Sequence, residues 1–177
     1  MEITKNKLSP YENIFFNKLK NYIERPIYFY GSIQRDDYFP QLSDIDIDIF
    51  TDNVNSTLNL LQNFLNFNKN EFKKTLYKMD KTNNIIPGYK SKYIDKDNNM
   101  IIEIAVYDEK YKTEILREHQ SKFNLPLYIS AVLVILKMLH YNLGILPIYY
   151  YSRFKKFLTN NCYDNNKSEF VILDIDK

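Results

Sequence analysis

The chain has 177 residues, with 24 Lys and Arg against 22 Asp and Glu, one cysteine, two histidines and three glycines. That length suits one domain, at most one with a small helical annex, and 45% apolar with 16% aromatic content excludes a disordered chain. The lone Cys162 excludes a disulfide scaffold or a multi-cysteine metal site and fits a reducing, cytoplasmic interior. His119 and His140 lie too far apart in sequence to suggest zinc chemistry, and a net charge of +2 points to no polyanion without local clustering.

The first ten residues contain no apolar signal-peptide core. The most hydrophobic stretch, Leu125–Leu139, carries Ser130 and Lys137 and is followed by His140 and Gly144. It is too short and too punctuated for a membrane span, and a buried helix in a soluble protein is expected.

Ser9-Pro10-Tyr11-Glu12 has the form of a helix start, with a hydroxyl cap, proline at the first position and glutamate closing a capping box. Tyr11, Ile14, Phe15, Leu19, Tyr22 and Ile23 follow at helical spacing as the expected apolar face, and Pro26 ends the run. Ile27–Tyr30 is a short apolar strand leading into Gly31-Ser32. Asp44–Phe50 alternates strictly, which predicts a strand with Ile inward and Asp outward. Val54, Leu58, Leu61 and Leu65 mark a second amphipathic helix.

Phe72–Met79, Tyr89–Ile94 and Met100–Tyr107 are the next strands, and the last two form a hairpin about the Asp97-Asn98-Asn99 turn. From Asp108 the period becomes helical, with helices expected over 109–121, 126–142 and 147–159, a surface loop at Asn160–Asn166, and a terminal apolar run at Phe170–Leu173. Strands and helices segregate in this order, so the fold class is α+β with a short helical C-terminal segment. The division falls at 1–108 for the core and 109–177 for the helical segment, packed together as one unit.

Asp44-Ile45-Asp46-Ile47-Asp48 is the most informative feature. Residues two apart on a strand share a face at about 6.6 Å, so three carboxylates there repel one another, and Asp forms strands poorly. A compensating positive charge is expected. Two divalent cations about 3.5–4 Å apart suit an i, i+2 carboxylate pair, as in two-metal phosphoryl transfer, and hard oxygen donors favour Mg²⁺ or Mn²⁺. The alternative is a solvated edge strand whose charges deter aggregation. Asp44 and Asp46 are preferred as the pair; Asp46 and Asp48 form the other register. Glu103, one acid within the apolar strand Met100–Tyr107, also needs a partner, either a metal shared with Asp44 and Asp46 or an internal Lys or Arg. Gly31 permits close backbone approach to a phosphate, with N–H donors supplied by a following helix, although a Gly-Ser taken alone reads better as an ordinary turn.

Gly31-Ser32, eleven intervening residues and Ser43-Asp44-Ile45-Asp46, followed by Glu103 on a later strand, resemble the signature of the DNA polymerase β-like nucleotidyltransferases, which include poly(A) polymerases and minimal nucleotidyltransferases. Arg35 matches the Gly-Ser-x-x-Arg form of the smaller members; Asp36 departs from the glycine that usually follows it. The resemblance spans residues 26–107. It implies a mixed β-sheet flanked by helices and a metal-dependent transfer of NMP from an NTP, ATP among them, to a hydroxyl. It further implies Asp44, Asp46 and Glu103 as catalytic residues and ligands of two Mg²⁺ or Mn²⁺ ions, and Gly31, Ser32 and Arg35 as nucleotide-binding residues. Lys137 matches the helical lysine that holds the triphosphate in larger members, and equally reads as a snorkelling lysine on a buried helix.

The acceptor stays open between an RNA 3′ end and a small molecule or protein, and a non-catalytic nucleotide-binding module is the third reading. With no recognisable RNA-binding domain, a partner protein supplying substrate affinity also stays open. Tyr149–Phe157 interleaves aromatic and basic residues as an RNA-tracking surface would, or as a helix with its aromatics inside and its cations outside. His119 and His140 are expected to be structural and Cys162 an inert loop residue.

Overall fold

A computed structural model describes residues 2–68, 70–79, 82–162 and 170–172. Helix α1 (Pro10–Ile23) begins as its cap dictates: the Glu12 amide donates to the Ser9 hydroxyl at 3.2 Å, and the Ser9 amide donates to the Glu12 carboxylate at 2.6 Å. Its buried side is Phe16, Leu19 and Ile23, whereas Tyr11, Ile14 and Tyr22 are exposed, so the stripe is rotated from the one expected. Phe16 wins the inner place because it meets Phe29 edge-to-face at 5.0 Å, while Tyr11 reaches across the surface to donate to Asp95 at 2.6 Å.

Strand β1 (Tyr28–Tyr30) passes into a single 3-10 turn, Gly31–Gln34, the short helical segment after the glycine. Strand β2 (Ile45–Thr51) is followed by helix α2 (Val54–Leu65), capped by Asn53 and buried through Leu58, Leu61 and Leu65. Strands β3 (Lys73–Lys78), β4 (Ile85–Asp95) and β5 (Met100–Asp108) come next, with β4 and β5 forming the expected hairpin. Then come α3 (Lys112–Ser121), preceded by a 3-10 turn at Glu109–Tyr111, and α4 (Leu127–Lys137), continued by a π turn over Met138–Asn142.

Helix α5 (Ile148–Cys162) carries Cys162 within the helix, not in a loop, so the loop expected from Asn160 starts no earlier than residue 163; residues 163–169 lie outside the described chain. The terminal apolar run supplies strand β6 (Phe170–Ile172); Leu173 lies outside the described residues. No helix among the described residues is long and apolar enough to cross a membrane.

The six strands form one mixed sheet in the order β1-β2-β5-β4-β3-β6, parallel between β2 and β5 and antiparallel elsewhere. Strand alternation splits the side chains between two faces. Ile45, Ile47 and Ile49 of β2 and Ile102, Ile104 and Val106 of β5 join α1 and α2 in the main core. The opposite face is not simply solvated, as the Asp-outward expectation had it. At its far end Tyr28, Phe50, Tyr77, Ile86, Ala105 and Tyr107 pack with Ile115 of α3 into a second apolar cluster, and the acidic residues lie between that cluster and a groove. Gly88 makes this packing feasible, since a Cβ there would stand 2.5 Å from the Tyr107 ring.

The rotated α1 stripe has a direct check. Phe16→Ala should cost about 3–5 kcal/mol in urea denaturation, as for a buried aromatic, whereas Ile14→Ala, 54% exposed, should stay within about 0.5 kcal/mol.

Candidate active site

The parallel register sets Asp46 beside Glu103 on neighbouring strands, and both lie on the groove face. Asp44, one residue before β2, lines the same groove. Gly31 has φ +70°, a conformation that disfavours any side chain, and a Cβ there would also run into the Asp46 carboxylate, with Asp46 Cγ at 2.9 Å. The Gly31 backbone is thereby set directly against the Asp46 side chain. Ser32 lines both the main cavity, of about 750 Å³, and a smaller polar one of about 120 Å³ that also borders Asp44, Asp46, Glu103 and Lys137.

Burial, then the nearby Glu103 charge, push the Asp46 carboxyl up to about 7; Lys90 and Lys155 oppose the shift. The acids are not left uncompensated. Lys90 of β4 stands 2.6 Å from Glu103 Oε2, and Lys92 stands 3.2 Å from Asp44 Oδ2 and 3.9 Å from Glu103 Oε1. Among the described residues, no three His, Cys, Asp or Glu side chains are grouped so as to hold a metal as they stand. The donors nevertheless fit a hard divalent cation in kind and in place: carboxylate oxygens on adjoining strands, one of them, on Asp46, with a strong electrostatic demand for positive charge. Such an ion would compete with Lys90 and Lys92 for the Asp44 and Glu103 oxygens.

Asp48 shares the strand face but not the groove. It is fully buried, with Oδ2 2.9 Å from His119 Nε2 of α3, and His119 stacks on Tyr30 at 4.2 Å. Burial raises the Asp48 carboxyl and His119 counters the shift. The same burial, joined by the charges of Asp48 and Asp46, holds the Tyr30 phenol well above its ordinary value. His119 therefore has a buried carboxylate as its partner, and it also borders the main cavity.

Arg35 and Lys137 converge on a residue the sequence did not single out. Asp37, fully buried, takes two hydrogen bonds from Arg35, at 2.8 and 3.2 Å. Lys137 stands 3.2 Å from the same carboxylate and donates to the Asp37 carbonyl and to Ser43 Oγ, the latter at 3.1 Å. Burial works to raise the Asp37 carboxyl, but the two cations outweigh it and hold it below the usual range. Lys137, almost wholly buried, does not snorkel to solvent; burial draws its ammonium down to about 8. This network ties the loop before β2 to α4.

On α5, Tyr151 is buried and stacks on His140 at 4.8 Å, but Tyr149, Tyr150, Phe154 and Phe157 are exposed, so the reading with aromatics inside and cations outside does not hold. His140 is structural, its Nδ1 2.7 Å from the Leu146 carbonyl oxygen. Lys155 and Lys156 line the main cavity, while Arg153 donates to the Tyr149 hydroxyl at 3.2 Å. Lys90 and Lys92 were legible in principle: counting outward from the Asp97-Asn98 turn sets Lys92 opposite Glu103. Asp37 had no such signal, because its partner on α4 is a hundred residues away.

The raised Asp46 carboxyl makes stability depend on pH. Between about 4 and 7 the folded chain holds a proton that the unfolded chain has released, so stability falls as pH rises through that window. In EDTA, Asp46→Asn should equal the wild type near pH 4 and exceed it by about 2–4 kcal/mol above pH 7. Urea denaturation at pH 4.5 and 8 measures the difference, and no growth between them would contradict the electrostatic account.

Comparison with known proteins bears on this geometry. Among solved structures, the chain aligns with the structure of the GLD-2/RNP-8 complex at 15% identity and a TM-score of 0.38, covering 83% of this chain and 54% of that one. It aligns with the CdnE cyclic dinucleotide synthase of Elizabethkingia meningoseptica, solved with GTP and Apcpp, at 15% identity and a TM-score of 0.39, covering 90% of this chain and 72% of that one. The chain thus spans about half the length of the first, and overlaps this loose carry no argument about substrate or partner. No curated protein matches it. A family model described as the nucleotidyltransferase domain matches residues 15–120, more than half of the chain and every strand from β1 to β5. The chain belongs to the nucleotidyltransferase domain family.

Proposed function

We propose that the chain transfers a nucleoside monophosphate from an NTP to a hydroxyl, releasing pyrophosphate, and that the hydroxyl belongs to an RNA 3′ end. The observation that carries this reading is the close approach of the Gly31 backbone to the Asp46 carboxylate at one wall of the main cavity, which Ser32 also lines. Residues 1–108 would carry the chemistry, and α4 and α5, in 109–177, would close the cavity over it.

Asp44 and Asp46 would hold two Mg²⁺ or Mn²⁺ ions, Glu103 completing the shell of the one nearer the acceptor. When bound, such ions supply the positive charge that offsets the triphosphate and acidifies the attacking hydroxyl. The Gly31 and Ser32 backbone would contact the β- and γ-phosphates, with Arg35 and Lys137, both held by Asp37, as the cations beside them. A Glu103 carboxylate oxygen would take the proton of the hydroxyl. The hydroxyl oxygen bonds to the α-phosphorus as the bond to the β-phosphate oxygen breaks. Preorganised charge and positioning would provide most of the rate.

An RNA acceptor is favoured over a small or cationic one by the cavity wall, which combines Lys92, Lys122, Lys155 and Lys156 with Tyr77, Tyr141 and Tyr151. The test combines labelled NTPs and Mg²⁺ or Mn²⁺ with separate pools of RNA, small hydroxyl compounds and cell protein. Label should appear on RNA and fall by about 10²–10³-fold in Asp46→Asn. NTP with Mg²⁺ should raise the melting temperature of the wild type and raise that of Asp46→Asn much less. Label confined to another pool would reassign the acceptor. No label, with equal thermal gains in both proteins, would overturn the catalytic assignment.

A further inference from the structure

The lysines of β4 lie on a particular side of the acidic residues. In the sheet order, β1 and the Gly31-Ser32 turn stand on one side of β2 and β5, and β4 stands on the other. Arg35, Asp37 and Lys137 belong to the first side, through the loop before β2 and its tie to α4. Lys90 and Lys92 project from the second, Lys92 across from Glu103 and Lys90 across from Ala105, whose small side chain leaves room for the longer one to reach Glu103.

In a displacement at phosphorus the attacking and leaving oxygens are roughly in line. If the pyrophosphate departs on the Gly31-Ser32 side, the attacking hydroxyl comes from the β4 side. A hydroxyl at an RNA 3′ end brings a phosphodiester anion one sugar away, and the two ammonium groups lie on that β4 side. One cavity connects Gly31, Ser32 and Arg35 with Lys92, so donor and acceptor would share a single groove.

Both lysines are committed, however, to carboxylates that the proposed reaction needs for metal: Lys90 to Glu103, and Lys92 to Asp44 and Glu103. A divalent cation bound at those oxygens would neutralise them and repel the ammonium groups. We propose that Lys90 and Lys92 form the binding site for the 3′-terminal phosphodiester of the RNA acceptor, and that metal with NTP switches this site on by taking Asp44 and Glu103 away from the lysines. The inference rests on the nucleotidyl-transfer reading above. It adds an order to it: metal and NTP first, RNA second. The same exchange keeps the β4 side of the groove less attractive to RNA while no nucleotide is present, because both of its lysines are already matched by carboxylates.

The test measures binding, not turnover. A 5′-fluorescein decaadenylate ending in 3′-deoxyadenosine is titrated by anisotropy, in EDTA and then in Mg²⁺ with a non-hydrolysable ATP analogue. The wild type should bind it about tenfold or more tightly in the second condition. Lys90→Met/Lys92→Met should lose that gain, and its salt dependence should flatten by roughly 0.7 in log–log slope for each phosphate no longer neutralised. Glu103→Gln should bind tightly in EDTA, and adding Lys90→Met/Lys92→Met to it should abolish that.

Lys92→Met alone, on a side chain 46% exposed, reads the same gain if the double variant folds poorly. A metal-dependent gain that survives in the lysine variants would overturn the proposal, as would equal wild-type binding in the two conditions. Failure of the nucleotidyl-transfer reading is distinguishable, since it would remove the thermal shift with Mg²⁺ and analogue in the wild type itself.

Discussion

The parallel pairing of β2 with β5 is the constraint on which the rest depends. These strands are separated in sequence by a helix and two strands, yet their register sets Ile45, Ile47 and Ile49 against Ile102, Ile104 and Val106 on one face. Burying six branched side chains under α1 and α2 settles which way each strand faces. A slip of one residue would turn every isoleucine outward and every acid into the core. The same register that packs the isoleucines therefore sets Asp46 beside Glu103 on the other side. Two like charges are held close because the apolar face leaves them no other place.

Holding anions there has a cost, and basic side chains from three other elements stand against them. Lys90 and Lys92 approach from β4, His119 descends from α3 on Asp48, and Lys155 from α5 acts on Asp46 at longer range. Next to them, Asp37 reverses the roles, with one buried carboxylate gathering Arg35 and Lys137. Removing one member of a buried pair leaves the other uncompensated, which is far costlier than never having built the pair. The charges around the groove are thus interdependent.

Division of labour between the faces follows from this. The isoleucine face supplies rigidity, and the opposite face is split between an aromatic cluster under α3 and a polar groove bordered by α4 and α5. Asp48 and His119 mark the boundary: one step along β2 from Asp46 on the same face, the carboxylate is already sealed from the groove. Of the three aspartates in the alternating run, two border the groove and one belongs to its foundation.

Much of this was legible in local pattern. The Ser9 capping box, the Ile/Asp alternation of β2, the stripe of α2 and the β4–β5 hairpin are each decided by residues a few positions apart, where backbone geometry and hydrogen bonding act alone. The alternation even implied that three acids share a face. The sequence by itself could not turn α1 about its axis, since Tyr11, Ile14 and Phe16 are all apolar and only contact with Phe29 chose among them. Nor could it expose the aromatics of α5, or name Asp37 as the counter-ion of a lysine a hundred residues away. Periodicity determines which residues of one element share a side. Which element covers that side, and which distant charge answers a buried one, is decided only when the elements pack, because electrostatic and van der Waals partners are set by distance in space and not along the chain.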